Sequence, residues 1–329
     1  MNIKKHLQIK KEHHYVWQYY LKNWATENKV WFLSKNRKLI LDSTKLIAKE
    51  RNFYIVNEIS TSCMNKINKL LQLFPSDLQK IYISLLQHVR ILQKLNNSYE
   101  DSTIKNKEID VLFSAFKHNT LEDLHSDFEA NVIPILKKLS NKDLSILNYE
   151  NNLASFTSFI GLQLTRTKSF KSIIMALSKS NPTTWLSMDE IEESWWLISY
   201  MFGINIGHSI FSARKTNNYC LIINNSSIPF ITGDIPVINA HPSISDEIKI
   251  LTDDQMDIFY PISPNIAIMI NSSNQLPSGI NYAQEEFVHK NNILIAKNSQ
   301  VHIFGKTKES IEPYIKHVGS YIQRLNTEK

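Results

Sequence analysis

The residues best suited to chemistry are concentrated near the start of the chain, in the segment EHHYVWQYYLKNWA at positions 12–25. A histidine side chain exchanges a proton near neutral pH and ligates metal ions through its neutral imidazole. Adjacent side chains point to different faces, so only one of His13 and His14 joins any given site. The aromatic residues here are typical of a packed helix face. For the histidines, a chemical role and a structural capping role both stay open.

A second polar pair interrupts the apolar sequence GLQLTRTKSF at positions 161–170. Gln163 and Arg166 are three residues apart, so on a helix they share a face and present an amide and a guanidinium to one anion or one backbone segment. Arginine stays charged, which suits it to phosphate or carboxylate and makes it a poor base. A structural salt bridge or a solvated face is the alternative, and the spacing alone favours it.

The third candidate is a carboxylate at the end of a β-type run, in the sequence FITGDIP at positions 230–236. Gly233 permits an unusual backbone angle, and Pro236 favours an extended conformation at the residue before it. Asp234 at this point could hold a histidine, a metal ion or a water molecule. An Asx-type turn cap is the ordinary alternative, and the sequence does not separate the two.

Several familiar chemistries are excluded by composition and by missing motifs. Only 7 of the 329 residues are glycine, and neither GxGxxG nor a P-loop motif occurs, which excludes classical dinucleotide-binding and P-loop sites. The zinc motif HExxH and the nucleophile elbow GxSxG do not occur either. Cys63 and Cys220 are the only cysteines, so no disulfide framework is expected and a reducing cytoplasm is the expected compartment.

The charge balance gives a weak indication of partners. The 37 basic and 31 acidic residues leave a net charge of +6, a mild excess that is weak evidence for a nucleic-acid partner, because many basic proteins carry such a charge only to stay in solution. No uninterrupted apolar run approaches the roughly 18 residues that a membrane-spanning helix needs, so no membrane association is expected.

The elements that must position these side chains fall into three parts. Residues 30–43 predict a β-hairpin, and apolar residues from about 61 to 215 recur at the three- and four-residue spacing of helices. Beyond Asn217, short β-type runs separated by polar clusters predict strands. Segregated helices and strands indicate an α+β fold, with a central helical bundle and a mainly antiparallel sheet built from the C-terminal third plus the N-terminal hairpin.

Individual helices can also be placed on the sequence. The predicted helices follow Pro75-Ser76, follow the cap candidates Asn119 and Thr120, and cover residues 152–179, 187–214, 284–297 and 309–325. No Pro/Gly/Ser-rich spacer separates residues 1–60, 61–215 and 216–329, so we expect the whole chain, 1–329, to form a single unit.

Five segments taken in order resemble a known family over most of the chain. HHYVWQYYLKNWA, QLTRT, FITGDIPV, FYPISP and KNNILIAKNSQVHIFG are similar to the pattern of the bacterial and fungal family catalogued as domain of unknown function 4238. The chain departs from that pattern at Trp17 and Lys168, where proline is usual, and at Gly233, where serine is usual. It keeps the candidate site residues His14, Gln18, Gln163, Arg166, Asp234 and Asn292. The family carries no assigned activity, so the resemblance implies site residues and no reaction.

Two hypotheses of function follow. The first is a phosphoester hydrolase acting on nucleic acid or a nucleotide, for instance a nuclease effector in bacterial defence, with His14 and Asp234 as catalytic or ligating residues. Gln18, Gln163, Arg166 and Asn292 would then bind the substrate. A divalent metal ion is compatible with this hypothesis, although no ligand spacing indicates one. The second hypothesis is a non-catalytic binding or effector module in which the same polar residues form a structural network.

Overall fold

The N-terminal part of the chain contains a two-stranded ribbon and a hairpin. The aromatic segment lies between the first ribbon strand and the hairpin, and the second ribbon strand follows the hairpin. The computed structural model describes residues 7–180, 186–243, 255–321 and 323. The first elements are β1 (Glu12–His14), α1 (Gln18–Leu21), β2 (Lys29–Leu33), β3 (Leu39–Ser43) and β4 (Lys49–Arg51). β1 pairs antiparallel with β4, and β2 with β3 forms the predicted hairpin.

The middle of the chain is helical, as its apolar spacing predicts. The helices are α2 (Thr61–Leu71), α3 (Ser76–Glu100), α4 (Lys107–Ser140), α5 (Glu150–Thr165), α6 (Lys168–Ser180) and α7 (Met188–Ser212). A capping box fixes the start of α7, where the Ser187 hydroxyl accepts from the Glu190 amide and the Glu190 carboxylate accepts from the Ser187 amide. Among the helices of the described residues, none is both long and apolar enough to cross a bilayer.

Two of the predicted helix boundaries were wrong. The helix expected over residues 152–179 is broken into α5 and α6 at Arg166 and Thr167, because the Thr167 hydroxyl accepts a hydrogen bond from the Phe170 amide at 3.2 Å and starts a new helix. The helix expected to begin at Asn119 and Thr120 begins at Lys107 instead. Asn119 lies inside α4, where its amide side chain binds the backbone of the N-terminal segment instead of a helix end.

The C-terminal third supplies most of the strands. Its elements are β5 (Asn218–Asn224), β6 (Thr232–Gly233), β7 (Ile238–Asn239), β8 (Asp257–Ser263), β9 (Ile266–Asn271), β10 (Gly279–Ala283), α8 (Glu285–Asn298), β11 (Ile303–Gly305) and α9 (Lys308–Ile311). One sheet has the order β10-β5-β9-β8-β7 and the other β3-β2-β11-β6, and every pairing except β10 with β5 is antiparallel. The predicted α+β fold is confirmed.

The helix predicted over residues 309–325 is helical but not continuous in its described part. After α9 the chain continues as a 3-10 helix, Glu312–His317, because Pro313 has no amide hydrogen for an α-helical bond. Gly319, with a φ of +82°, then turns the chain. Residues 322, 324 and 325 lie outside the described residues.

The position of α5 depends on a close helix crossing with α7. A Cβ atom on Gly161 would collide with the carbonyl oxygen of Gly203, and a Cβ atom on Gly207 would lie 2.6 Å from the Cα atom of Ser158. At the same helix contact, the Thr165 hydroxyl of α5 donates a hydrogen bond to the Ser199 carbonyl of α7 at 2.8 Å. This crossing fixes the C-terminal end of α5, where Arg166 follows.

Candidate functional site

Arg166 directly follows the last residue of α5, and its side chain contacts the elements that surround the candidate site. Its side chain is only 2% exposed. One terminal nitrogen, Nη1, donates to Glu129 Oε1 at 2.5 Å, and the other, Nη2, donates to the His14 carbonyl oxygen at 2.5 Å. The Tyr54 hydroxyl donates to the Arg166 carbonyl. One guanidinium therefore joins β1, α4 and α5.

Glu129 is a buried carboxyl group with an altered acidity. Burial raises the pKa of Glu129 to about 7, and the nearby charge of Glu122 adds to the rise, whereas Arg166 opposes it. The bond from Arg166 occupies Oε1, and within the described residues no hydrogen bond reaches Oε2. This carboxyl group can therefore hold or release a proton near neutral pH.

The two adjacent histidines have different surroundings, as their opposite directions require. The His13 ring is fully buried, accepts from the Tyr54 amide at Nδ1, and lies with Nε2 2.8 Å and 2.9 Å from the carbonyls of Lys10 and His118. Because Nδ1 accepts from the Tyr54 amide, these partners assign a ring hydrogen of His13 to Nε2, and all of its ring contacts are to the backbone. His14 Nε2, in contrast, is buried and has no partner among the described residues.

The imidazole of His14 is kept neutral by its environment. Burial lowers the pKa of His14 below its usual value, and the positive charges of Arg166 and Lys49 lower it further. A hydrogen bond with the Lys45 carbonyl and the charge of Glu12 act in the opposite direction. A neutral imidazole with a free ring nitrogen can accept a proton.

These groups line one cavity of about 210 Å³. Its wall includes three of the residues that the sequence singled out, His14, Gln18 and Arg166, and the remaining lining residues are Trp17, Tyr19, Lys22, Glu122 and Glu129. Within the described residues, His14 Nε2, Arg166 Nε and Glu122 Oε2 are buried without hydrogen-bond partners. Buried polar atoms rarely stay unpaired. All three atoms belong to residues that line the cavity, so its wall is built from side chains that can donate or accept hydrogen bonds.

Asp234 binds backbone groups at a different place from the cavity. Its two carboxylate oxygens accept the backbone amides of Gln300, Val301 and His302 at 2.7–2.8 Å, and its own amide donates to the His302 carbonyl. Burial raises the pKa of Asp234, and the three amides oppose that rise. A Cβ atom at the preceding Gly233 would collide with the Ser299 hydroxyl, so a larger residue there needs the Ser299 side chain to shift. The structure does not bring Asp234 to the cavity wall.

Asn292 is also held within the fold. Its amide oxygen accepts from the Ile231 amide at 3.1 Å, and its nitrogen donates to the Pro229 carbonyl and the Tyr314 hydroxyl. Tyr314 lines a larger cavity of about 720 Å³ between α8 and α9. Among the described residues, none that lines this larger cavity has a buried unpaired polar atom. The smaller cavity therefore has the stronger indication of a ligand.

Gln163 and Gln18 differ in position. Gln163 is buried on α5 with its amide oxygen unpaired within the described residues, and it does not line the 210 Å³ cavity. Gln18, the first residue of α1, lines that cavity, and its side chain lies 3.4 Å from the Thr44 hydroxyl. The structure thus brings together His14, Gln18 and Arg166, and places Gln163, Asp234 and Asn292 elsewhere.

Sequence reasoning missed the two carboxylates of α4, Glu122 and Glu129. A signal for them was present: Glu122, His125 and Glu129 are spaced by three and four residues, which places three titratable groups on one helical face. The apolar residues of the same helix also recur at three- and four-residue spacing, and that pattern alone was interpreted. Within the described residues, no group of three His, Cys, Asp or Glu side chains is arranged to hold a metal ion.

The comparisons with known proteins identify the family. No curated protein and no solved structure matches the chain. A family model described as a protein of unknown function, DUF4238, matches residues 12–309. This range includes the ribbon, the cavity and the β11 strand, so the family resemblance of the five segments is confirmed. The chain belongs to the DUF4238 family.

Proposed function

We propose that the protein hydrolyses a phosphoester of nucleic acid or a nucleotide at the 210 Å³ cavity, with His14 as general base and Glu129 as general acid. The observation that carries the proposal is that a neutral histidine with a free nitrogen and a carboxyl group whose pKa is raised to about 7 line the same cavity. Two groups shifted in opposite directions are the arrangement that acid–base catalysis needs.

The proposed step moves two protons. A water molecule attacks phosphorus and gives its proton to His14 Nε2, while the bond to the leaving oxygen breaks. That oxygen takes the proton of Glu129, and the new carboxylate remains paired with Arg166, whose Nη1 is 2.5 Å from Oε1. The products are a phosphate monoester and an alcohol, and both side chains regain their starting protonation from solvent.

Cationic groups support the choice of a phosphoester. Arg166 uses two of its nitrogens within the fold, but its Nε–H is unpaired within the described residues and Lys22 is exposed at the cavity. Both can donate to phosphoryl oxygens. Gln18 adds an amide donor. In this proposal Asp234, Gln163 and Asn292 act by positioning.

The test is hydrolysis of bis(4-nitrophenyl) phosphate, an oligonucleotide and a nucleotide by the full chain, with and without a divalent cation. We expect Glu129→Gln and His14→Gln each to lower kcat by roughly 100-fold or more while the far-ultraviolet circular dichroism stays unchanged, because general acid–base catalysis contributes about 10²–10⁴-fold. Glu108→Gln, at the exposed start of the same helix, is the matched control. Full activity in both site variants would refute the proposal.

A second candidate function is a non-catalytic binding or effector module. The observation that favours it is that Arg166, Asp234 and Asn292 all bind backbone groups of other elements. His14→Ala separates the two proposals, because Arg166 binds the His14 carbonyl, which the substitution keeps. If His14→Ala keeps its stability but loses hydrolysis, the result supports the hydrolase. If it loses stability together with its effect in the cell, the result supports the non-catalytic module.

A further inference from the structure

A group of cations lies along the β1–β4 ribbon, which leads away from the cavity. Lys11 immediately precedes β1, and its carbonyl accepts from the Asn52 amide at 2.8 Å. Arg51, the last residue of β4, is opposite Glu12 in the ribbon register. His14, at the other end of β1, lines the cavity. At about 3.3 Å per residue, the three steps from His14 to Lys11 cover roughly 10 Å.

A third cation joins this group from α4. The Lys117 carbonyl accepts from the Val56 amide at 2.9 Å, and the carbonyl of the next residue, His118, lies 2.9 Å from the His13 ring. These bonds hold α4 against the ribbon. Burial lowers the pKa of His118, and the charges of Lys11, Lys117 and Arg51 lower it further, in agreement with cations gathered around one imidazole.

The members of this group form no ion pairs within the described residues. Nearby, Glu12 pairs with Lys49 at 3.4 Å and Asp123 pairs with Lys10 at 2.5 Å. Lys11, Arg51 and Lys117, which we call the ribbon cations, are exposed and have no ion pair in the part of the chain that the structure describes. A cluster of this kind attracts an extended anion.

The cavity itself limits what enters it. A volume of about 210 Å³ is smaller than the roughly 300–1,000 Å³ of sites that enclose a drug-sized ligand. Trp17 and Tyr19 line the cavity with ring centroids 4.8 Å apart, and Tyr19 is half-buried. A phosphate group fits inside while a base stacks on the accessible ring. A free phosphate or a mononucleotide would leave the ribbon cations without a counter-charge.

We propose that the ligand is a single-stranded nucleic acid, with one phosphodiester in the cavity, the backbone continuing along the ribbon cations, and a base stacked on the Trp17–Tyr19 pair. A cationic track combined with aromatic platforms is the general way proteins bind single strands. In a duplex the bases are already stacked and cannot reach the rings. The reaction at the cavity rests on the proposed phosphoester chemistry, whereas strand binding does not.

The first test measures binding of a fluorescein-labelled 20-nucleotide single strand to the full chain carrying Glu129→Gln, by anisotropy at several salt concentrations. We expect the added K11Q/R51Q/K117Q substitutions to weaken binding at least 10-fold and to reduce the salt slope by about 2, because each single-strand phosphate contact contributes about 0.7. The control is K35Q/K38Q/K306Q, which removes the same charge from exposed positions elsewhere and is expected to bind almost as the parent does.

Several results would overturn the inference. Equal loss in the two triple variants would mean that only net charge matters. Equal competition by a duplex or by a mononucleotide would exclude a single strand, and binding to anionic phospholipid vesicles without strand binding would assign the cations to a membrane surface. Strand binding without any hydrolysis retains this inference and rejects the proposed function, whereas hydrolysis of bis(4-nitrophenyl) phosphate without strand binding does the reverse.

The second test concerns stacking. Tyr19→Ala is expected to weaken strand binding roughly 10-fold, within the range measured for loss of one base–aromatic stack, and Tyr19→Phe is expected to restore it. Tyr19 is used because Trp17 is almost fully buried and its ring also contacts Phe159. Unchanged binding by the Ala variant would remove the aromatic pair from the site.

Discussion

At the scale of single residues, Arg166 determines the geometry of the site. Nη1 and Nη2 each donate a hydrogen bond, which leaves Nε as the one guanidinium nitrogen without a partner among the described residues. Lysine could not replace it, because a single ammonium does not hold two acceptors in a fixed plane. The residue therefore supports the fold and, in our proposal, also offers one donor to the substrate.

The coupling between Arg166 and Glu129 is measurable. Arg166→Ala is expected to lower the free energy of unfolding by about 3–5 kcal/mol, because it leaves a buried carboxyl group unpaired. Glu129→Ala should lower the free energy of unfolding less in the Arg166→Ala background than in the wild type, because the ion pair has already been removed. Urea unfolding of the two single variants and the double variant completes the cycle. Costs that add within about 0.5 kcal/mol would contradict a direct buried pair.

Glu129 also predicts a pH dependence of stability. Its pKa rises from the usual 4.5 to about 7 in the folded chain, so the folded state favours the protonated form. The stabilisation is therefore full below about pH 4.5 and is lost as pH rises through 7. The lowered pKa values of His14 and His125 act oppositely, because their contribution is lost as pH falls below the usual 6.5.

Comparison with Glu129→Gln isolates the carboxyl group, because that variant keeps both histidines. We expect the free energy of unfolding of the wild type, relative to the variant, to fall by on the order of 2 kcal/mol between pH 5 and 8. Urea titrations across this range measure it. A difference that is constant or that rises with pH would show that Glu129 is ionised throughout.

At the scale of elements, α5 and α7 must approach closely for Arg166 to reach its partners. Gly161→Ala places a methyl group against the Gly203 carbonyl, so we expect a loss of about 1–3 kcal/mol of stability, as is typical of overpacking. Asn151→Ala, on the exposed side of the same helix, is the control. Thermal unfolding with equal midpoints for the two variants would mean that the crossing can relax.

The elements show what local sequence can and cannot predict. Apolar spacing located α3, α7, β8 and β9 because those patterns are set by neighbours in the chain. It missed the break at Thr167, where a hydroxyl caps a new helix within an unbroken apolar pattern. The backbone at Trp17 and Lys168, where the family usually has proline, would accept a proline. Trp17 has a φ of −60°, and Lys168 is the first residue of α6.

At the scale of the whole molecule, the site depends on contacts between distant parts of the chain. The His14 carbonyl and Arg166 are 152 residues apart in sequence, and local patterns carry no information about such a pairing. The resemblance supplied His14, Gln18 and Arg166 as candidates. Glu129 came only from the structure, because burial beside Arg166 is what alters its acidity.

That residues 1–329 form a single unit stays a prediction, and the sheet order suggests how to test it. In the sheet β3-β2-β11-β6, the N-terminal hairpin pairs with a C-terminal strand through Phe32 and Phe304. We therefore expect urea unfolding of the full chain to follow one transition, with tryptophan fluorescence and far-ultraviolet circular dichroism coinciding. Two separated transitions would indicate independent domains.

The central claim is that His14 and Glu129 work as base and acid in one cavity. Its most direct test is the pH dependence of kcat/KM for hydrolysis of bis(4-nitrophenyl) phosphate between pH 5 and 9. We predict a bell-shaped profile whose acidic limb reports protonation of His14 and whose alkaline limb, near pH 7, reports loss of the Glu129 proton. Glu129→Gln should retain the acidic limb and lose the alkaline one. No hydrolysis at any pH, or an alkaline limb that persists in Glu129→Gln, would contradict the claim.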